Sequence, residues 1–322
     1  PIRVISHLDA DGLSSAAILT KALTRENVKF SLSIVKNLDE HKLKEMSKED
    51  YSVIIFGDLG SGYIRLIKKY LENKKIFIFD HHIPEEEENN FVHVNPHLLY
   101  TKKAENISGS SVCYLFAKEL NSENKDLAYI AVIGSLGDMQ EFKDYNKQNL
   151  EDAINFGDIE VKRGLRIFGG QTRALHKMLQ YSTDVYIPGI TGNEAGAITF
   201  LQETGINLKD KQNNFRRLVD LEENELKKLI TAIIIRRIGS EDKPEDVFGE
   251  IYILKKEPEG SFLRDTKEYV TLLNSCGRLG KYSLGIGTLL ENENLRKKAE
   301  EVLREYKLEI ITPSPSSLIS VV

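Results

Sequence analysis

The sequence predicts an α/β fold in which a parallel sheet carries helices on both faces. Two observations predict it. Short apolar runs alternate with helix-length segments of 3.6-residue apolar spacing through the first 150 residues. Several of those apolar runs also end abruptly in acids and histidines, as strands of a buried parallel sheet do at a ligand crevice. Taken in order, residues 2–6 form a short buried strand, and residues 13–23 a helix with Gly12 as the break before it. Residues 29–35 and 53–57 (VIIFG) give two more strands. Residues 64–71 are helical by their apolar spacing, 76–79 (IFIF) are the next strand, and 91–94 a short one. Residues 111–120 and 127–136 are helices. From about residue 151 the strand pattern fades, and 151–240 are predicted mostly helical apart from the loop YSTDVYIPGITGN at 181–193. The last helix there, 218–238, ends with Arg236 and Arg237. Residues 247–255 (VFGEIYILK) restart a strand pattern and are expected to open a second, smaller α/β unit with NSCGRLGKYSLGIG at 274–287 and a charged helix at 292–306. The expected division is an N-terminal sheet domain at 1–150, a helical connector at 151–245 and a C-terminal domain at 246–322. The tail ITPSPSSLISVV is expected to be loop or frayed end.

A chain of 322 residues can bury a sizeable core, and 41% hydrophobic with 29% charged residues is a globular composition. No apolar stretch approaches the ~18 residues of a membrane span and no signal peptide is evident, so a cytoplasmic protein without a membrane partner is expected. Cys113 and Cys276 match no zinc spacing and predict no disulfide framework, which also suits a reducing cytoplasm. The net charge of -5 shows no global basic excess, so nucleic-acid binding would need a local groove. Residue 1 is Pro, and the numbering is expected to start just inside a native terminus.

Four segments carry the chemistry. SHLDADG places His7, Asp9 and Asp11 directly after the first strand. VIIFGDLG delivers Asp58, IFIFDHH delivers Asp80, His81 and His82, and VIGSLGD delivers Asp138. So many carboxylates brought together would repel one another and raise their pKa values unless a cation neutralised them. Carboxylate oxygens with imidazole nitrogens and no thiolate suit Mn²⁺ or Mg²⁺ better than Zn²⁺. More than five candidate ligands exceed what one ion with open water positions needs, so two ions sharing a carboxylate fit better, and such a pair suits phosphoryl displacement. Of the two adjacent histidines one can ligate and the other face a phosphate, while Asp80 can fix a loop or orient an imidazole. His93, His97, His41 and His176 have no partner motif and are expected to be structural or surface residues.

The set HLDADG, GD, DHH and GSLGD resembles the DHH phosphoesterase superfamily, whose members include RecJ-type exonucleases, oligoribonucleases and manganese-dependent pyrophosphatases. GGQTRALHKMLQYSTDVYIPGITG at 169–192 and TLLNSCGRLGKYSLGIG at 271–287 look like the archaeal RecJ-like branch, so the likeness covers most of residues 1–300. The resemblance implies a DHH catalytic domain followed by a connector and a C-terminal DHHA1-like domain that grips the substrate backbone. It implies that His7, Asp9 and Asp58 hold one ion and that Asp11, Asp58, His81 and Asp138 hold the other, with Asp58 bridging. His82 would contact the scissile phosphate and Asp80 would support it. Arg278, then Lys281, are the candidates for backbone grip, because a guanidinium can bind phosphate bidentately. Ser110, in the SGSS segment that opens a helix, could present a free backbone N–H to phosphate. The branch usually carries a Gly-Gly-His type motif late in its C-terminal domain, and no histidine follows His176 here, so that domain is expected to be incomplete.

The function implied is a two-metal, Mn²⁺- or Mg²⁺-dependent hydrolase of single-stranded DNA or RNA, an exonuclease releasing 5′-mononucleotides in repair or replication. The alternatives are a replication scaffold, with or without activity, that binds GINS or other replication proteins, and a small-molecule phosphatase for pyrophosphate or dinucleotides. Arg163, Arg166, Arg173, Arg216 and Arg217 are candidate liners of a strand-binding groove. Polarity and the choice between DNA and RNA are not set by the sequence.

Overall fold

A computed structural model of the chain describes residues 1–86, 90–99 and 106–311. It divides into two compact units, residues 1–157 with 270–322, and residues 158–269.

The first unit is built on a five-stranded parallel sheet of order β2-β1-β3-β4-β5. Its strands are β1 (Ile2–His7), β2 (Phe30–Val35), β3 (Val53–Gly57), β4 (Lys75–Phe79) and β5 (Val92–Val94). Alternate side chains point to opposite faces of a strand. On one face Ile5, Ile54, Phe56, Ile76 and Ile78 pack with Leu43 and Met46 of one helix and Ile64, Ile67 and Leu71 of another. On the other face Gly57 admits Leu19 and Cys113, and Phe79 stacks on Phe116 with ring centroids 4.4 Å apart. The helices are therefore α1 (Ala10–Arg25) and α4 (Gly109–Leu120) on this second face, with α2 (Glu40–Lys48) and α3 (Ile64–Leu71) on the first. α1 is almost wholly buried because its inner positions are small: Ala10, Gly12, Ser14, Ser15, Ala16, Ala17 and Ala22 let α4 and α5 (Ala128–Gly137) approach closely. Its first turn is capped by Asp9, whose Oδ1 accepts the Gly12 N–H at 2.9 Å. Its last turn ends on Arg25, which pairs with both oxygens of Asp126. α6 (Asp144–Phe156) then packs on α5.

The second unit holds β6 (Ile159–Leu165) and β7 (Phe248–Leu254), an antiparallel pair running from Ile159↔Leu254 to Leu165↔Phe248. Between them lie α7 (Leu175–Gln180), α8 (Glu194–Glu203) and α9 (Glu223–Arg237). Leu175, Met178 and Leu179 of α7, Ala197 and Leu201 of α8, and Leu229 and Ile233 of α9 share one core. Ile187 and Ile190 of the 181–193 loop are buried in the same core, so that loop is packed rather than free.

After residue 269 the chain returns to the first unit. From Val270 onward α10 (Thr266–Arg278), α11 (Tyr282–Leu289) and α12 (Glu293–Ile311) complete it. Gly285 of α11 packs against Leu13 of α1, and the Tyr129 hydroxyl donates to the Leu289 carbonyl at 2.6 Å.

Two expectations are corrected by this arrangement. Residues 151–240 are not mostly helical, since β6 lies among them. Residues 247–255 do not open a separate α/β unit and the chain does not divide at 246. The reason is pairing: an isolated strand leaves half its backbone groups unbonded, and β7 finds its partner in β6. The Ser/Pro-rich tail from residue 312 lies outside the described residues. Among the described residues no helix is long and apolar enough to cross a membrane.

Phe56 is fully buried at the centre of the sheet. Phe56→Ala should cost about 3–5 kcal/mol, read as a fall in the urea midpoint. A loss below about 1 kcal/mol would contradict its place in the core.

Candidate metal centre

Strand register sets the site. Ser6 lies opposite Gly57 and Gly57 opposite Phe79, so the residues that follow, His7, Asp58 and Asp80, emerge side by side at the carboxyl ends of β1, β3 and β4. The Ser6 hydroxyl sits between the Gly12 and Gly57 carbonyls, 2.7 and 2.9 Å away, and ties the start of α1 to β3. Asp58 has φ +57, a backbone region that costs a non-glycine residue on the order of 1 kcal/mol or more and concentrates at functional sites. Asp138 caps α5 and enters from the helical layer.

Three sets of side chains have potential ligand atoms within 4.8 Å of one another: His7, Asp9 and Asp58; Asp11, His81 and Asp138; and Asp58, Asp80, His81 and His82. Asp58 faces both of the first two. Its Oδ2 is 3.9 Å from His7 Nδ1, and its Oδ1 is 3.4 Å from His81 Nε2. His7 Nδ1 lies 2.9 Å from Asp9 Oδ2, and His81 Nε2 lies 3.0 Å from Asp138 Oδ2 and 3.9 Å from Asp11 Oδ2. These contacts are close but not aligned for hydrogen bonds: His7 Nδ1, His81 Nε2 and Asp58 Oδ1 are buried without a hydrogen-bond partner. Leaving such atoms unpaired costs about 1–3 kcal/mol each. Buried lone pairs that converge on common points and bond to nothing in the protein fit divalent cations.

The charge balance supports the same fit. Burial, then the neighbouring Asp11, push the Asp58 carboxyl well above the usual range. Burial and the Asp138 charge raise Asp11 to about 6. Burial would lower the pKa of His81, but Asp138, Asp58 and Asp11 overcome it and push the imidazole up to about 11. His7 is raised in the same sense, with Asp9 prevailing over burial. Without a cation, the cluster therefore holds protons.

The surrounding groups fix the ligands. Asp11 accepts the N–H groups of Gly109 at 2.7 Å and Ser110 at 3.1 Å. α4 and α5 can come this close only because Gly109 and Gly134 lack a Cβ: one on Gly109 would sit 2.4 Å from Asp58 Oδ1, and one on Gly134 2.5 Å from Asp11 Oδ1. Asp80 is fully buried and accepts the N–H groups of Ser61 and His81. Burial opposes its ionisation, yet His82 and Ser61 hold it at about 2. Its Oδ1 also bonds His82 Nδ1 at 2.7 Å, which fixes the His82 ring and raises its pKa. A cavity of about 330 Å³ opens there, with His7, Asp58, Asp80, His82, Lys36 and Tyr63 in its wall.

The remaining candidates fall elsewhere. Ser110 is fully buried and its N–H is given to Asp11, so it is not free for phosphate. A buried carboxylate takes the nearest donors, and the helix start supplies them. Arg278 ends α10, stands exposed and hydrogen-bonds the Tyr306 hydroxyl. Lys281 is exposed beside it, without an ion pair among the described residues. Neither is hydrogen-bonded to the acidic cluster. His93 Nε2 lies 2.9 Å from the Ser61 hydroxyl oxygen.

Sequence reasoning missed three supports. Asn95 donates to the His82 carbonyl and the Ser61 hydroxyl, both at 2.8 Å. Asn274 Oδ1 accepts the Ala10 N–H at 2.9 Å, and Gly277 lies against the Leu8 carbonyl, where a Cβ would sit 1.9 Å away. The NSCG segment thus clamps the His7–Asp11 turn. Its only sequence signal was the Asn and Gly spacing.

Comparison with known proteins gives the family and the fold. Residues 1–135 match the model of the DHH family N-terminal domain, and residues 167–248 match that of the DHH-CID domain. The chain belongs to the DHH family. It is 32% identical over 319 residues to the uncharacterized protein MJ0831 of the archaeon Methanocaldococcus jannaschii, covering 96% of this chain and 68% of that protein. Its fold is similar to that of an exonuclease RecJ bound to manganese, with a TM-score of 0.54 and 14% identity over 95% of this chain and 62% of that one. It is also similar to CDC45 from Entamoeba histolytica, with a TM-score of 0.67 and 13% identity over 96% of this chain and 70% of that one. This DHH-family chain therefore spans less than two thirds of the matched RecJ chain.

Proton linkage gives a test. Groups with raised pKa values bind protons in the folded, metal-free state, and a cation must displace them. Mn²⁺ affinity should rise between pH 6 and 8, about tenfold per pH unit for each proton released. The metal-free protein should lose thermal stability over the same span, because protonation of His81 stabilises it fully below the unfolded value near 6.5 and is lost toward about 11. Calorimetric titration in two buffers of different ionisation enthalpy measures the release. A pH-independent affinity without proton release would contradict the assignment.

Proposed function

We propose that this DHH-family chain is a phosphodiesterase dependent on two divalent ions, Mn²⁺ before Mg²⁺, that degrades single-stranded DNA or RNA to 5′-mononucleotides. The observation that carries this reading is the pair of three-ligand sets that meet at Asp58 with buried, unpartnered donor atoms. His7, Asp9 and Asp58 would hold one ion, and Asp11, Asp58, His81 and Asp138 the other. When bound, such a pair polarises a phosphate and makes a water nucleophilic near neutral pH.

The chain's own residues do the rest. Asp80 fixes His82 through Nδ1, which leaves Nε2 as the donor toward a phosphate oxygen. The hydrogen bond to Asp80 raises the pKa of His82, which favours the protonated ring as a donor to a phosphate oxygen. Gly109 and Ser110 hold Asp11, and Asn274 and Gly277 hold the turn between His7 and Asp11. Arg278 and Lys281 are the cations offered for the substrate backbone. The manganese bound in the RecJ structure of similar fold supports the choice of ion.

A second reading is favoured by one observation, the higher TM-score to CDC45 than to RecJ: a replication scaffold, with or without activity, that pairs with GINS or related proteins. The filled set of candidate ligands favours catalysis over a purely structural role.

An end-labelled 20-mer incubated with Mn²⁺ should release mononucleotides. Asp58→Ala and Asp138→Ala should lower the rate at least a thousandfold. His82→Ala should lower kcat about 10²–10³-fold, the scale of one lost transition-state donor, and leave Mn²⁺ affinity unchanged. Undiminished release by Asp58→Ala would remove the mechanism, and turnover of pyrophosphate alone would reassign the substrate.

A further inference from the structure

Asp11 and Asp138 belong to one of the three-ligand sets, and a single buried polar network lies behind both. It runs across the contact of α4, α5 and α6 in the first unit. Ser108, Ser110, Ser111, Ser135 and Asn146 are each at most 1% exposed. Asn146 is the centre of the network. The Ser111 hydroxyl donates to Asn146 Oδ1 at 2.7 Å, and Ser135 Oγ lies 3.3 Å from the same oxygen. Asn146 Nδ2 donates to the Glu141 carbonyl at 3.2 Å. These neighbours fix the amide orientation, because only Nδ2 can donate to a carbonyl. Ser135 gives its proton to the Ala131 carbonyl at 2.9 Å. Ser108 Oγ, 3.0 Å from Ser135 Oγ, accepts the Ser111 N–H and caps α4.

Each end of the network meets a candidate ligand. At one end is the first turn of α4, whose Gly109 and Ser110 N–H groups bond Asp11. At the other, Ser135 and Glu141 stand three residues before and three after Asp138. The segment between α5 and α6 needs such support. Met139 and Asp144 have left-handed backbone, φ +53 and +48, which persists in non-glycine residues only where the surroundings over-determine it. The Gln140 N–H bonds the Ser135 carbonyl at 2.9 Å, and the Glu141 carbonyl is held by Asn146 and by the Lys143 N–H. Asn146 therefore joins the turn that holds Asp11 to both flanks of Asp138. Among the described residues, none of the five network residues hydrogen-bonds His7, Asp9 or Asp58.

We infer that Asn146 is a positioning residue for the ion at Asp11, His81 and Asp138, and plays no part in holding the ion at His7, Asp9 and Asp58. It touches no ligand. It acts through Ser111 and the α4 turn on one side and through the 138–141 backbone on the other. Two like-charged carboxylates repel, and a tie between their supports limits how far Asp11 and Asp138 can separate. The inference rests on the two-ion part of the proposed function and names what shapes one of the two sites. Asn149, one turn further along α6, is the internal control. It is also buried, but neither of its amide atoms has a partner among the described residues.

The test titrates Mn²⁺ into the metal-depleted full chain and follows the bound ions by electron paramagnetic resonance. Asn146→Ala should weaken one of the two sites at least about tenfold, the scale of a lost support behind a ligand. It should also abolish the coupled signal at Mn²⁺ concentrations that fill both native sites, while the other site keeps its affinity. Asn149→Ala removes the same volume from the same helix and should keep both ions and their coupling. Ser111→Ala breaks the bond to Asn146 but leaves the backbone cap of α4, and should weaken the same site. It is the milder change that decides the matter where Asn146→Ala does not fold. On an Asp138→Ala background the remaining ion should not respond to Asn146→Ala, which assigns the effect to the site of Asp11, His81 and Asp138. Raising Mn²⁺ about a hundredfold should restore the coupled signal of Asn146→Ala. If Asn146→Ala and Ser111→Ala bind two coupled ions with native affinity, if Asn149→Ala has the same effect, or if the ion left in Asp138→Ala responds, the inference is overturned and the two-ion reading stands. If the native chain itself shows no coupled pair, that reading falls and the inference falls with it.

Discussion

The first unit depends on how it accommodates two carboxylates that should not be buried together. Asp11 and Asp58 are 1% and 2% exposed, and burying an unpaired carboxylate is among the most expensive things a fold can do. Part of the cost is offset locally: Asp11 takes two helix-start N–H groups, and imidazoles stand beside both acids. What remains, a buried Asp58 oxygen and two ring nitrogens without aligned hydrogen bonds, is offset only by the charges of the facing imidazoles and carboxylates. A divalent cation held there would supply the charge that the buried acids lack.

That constraint explains features with no other evident purpose. The glycines at 109 and 134 let helices approach to distances a methyl group would block. Asp58 holds a left-handed backbone conformation at the carboxyl end of β3. The returning segment from Val270 spends an asparagine side chain on one backbone N–H of the His7–Asp11 turn. Each device limits how far the acids can move apart, and a site that cannot relax keeps its affinity for a counter-ion.

Much of this was legible beforehand because it follows from strand ends. An apolar run that stops at Asp or His puts that residue at the carboxyl end of a strand, so the pattern alone brings His7, Asp58, His81 and His82 to one end of the sheet. What was not legible depends on contacts between distant segments. β6 was missed because only Ile159 and Val161 alternate before charged residues take over, and its partner lies some 90 residues on. Ser110 was misread because a helix start offers its N–H groups to whatever anion arrives, and the arriving anion was Asp11. The candidate arginines looked alike in sequence, and only their neighbours show that Arg216 and Arg217 are paired, with Glu225 and Asp220.

The account is tested most directly by counting ions. Equilibrium dialysis of the metal-depleted chain against Mn²⁺, read by electron paramagnetic resonance, should give two ions per chain with magnetic coupling through a shared ligand. Asp58→Ala should lose the coupling and at least one ion. A native chain that binds no Mn²⁺ at millimolar concentration, or binds one uncoupled ion unaffected by Asp58→Ala, would contradict the account.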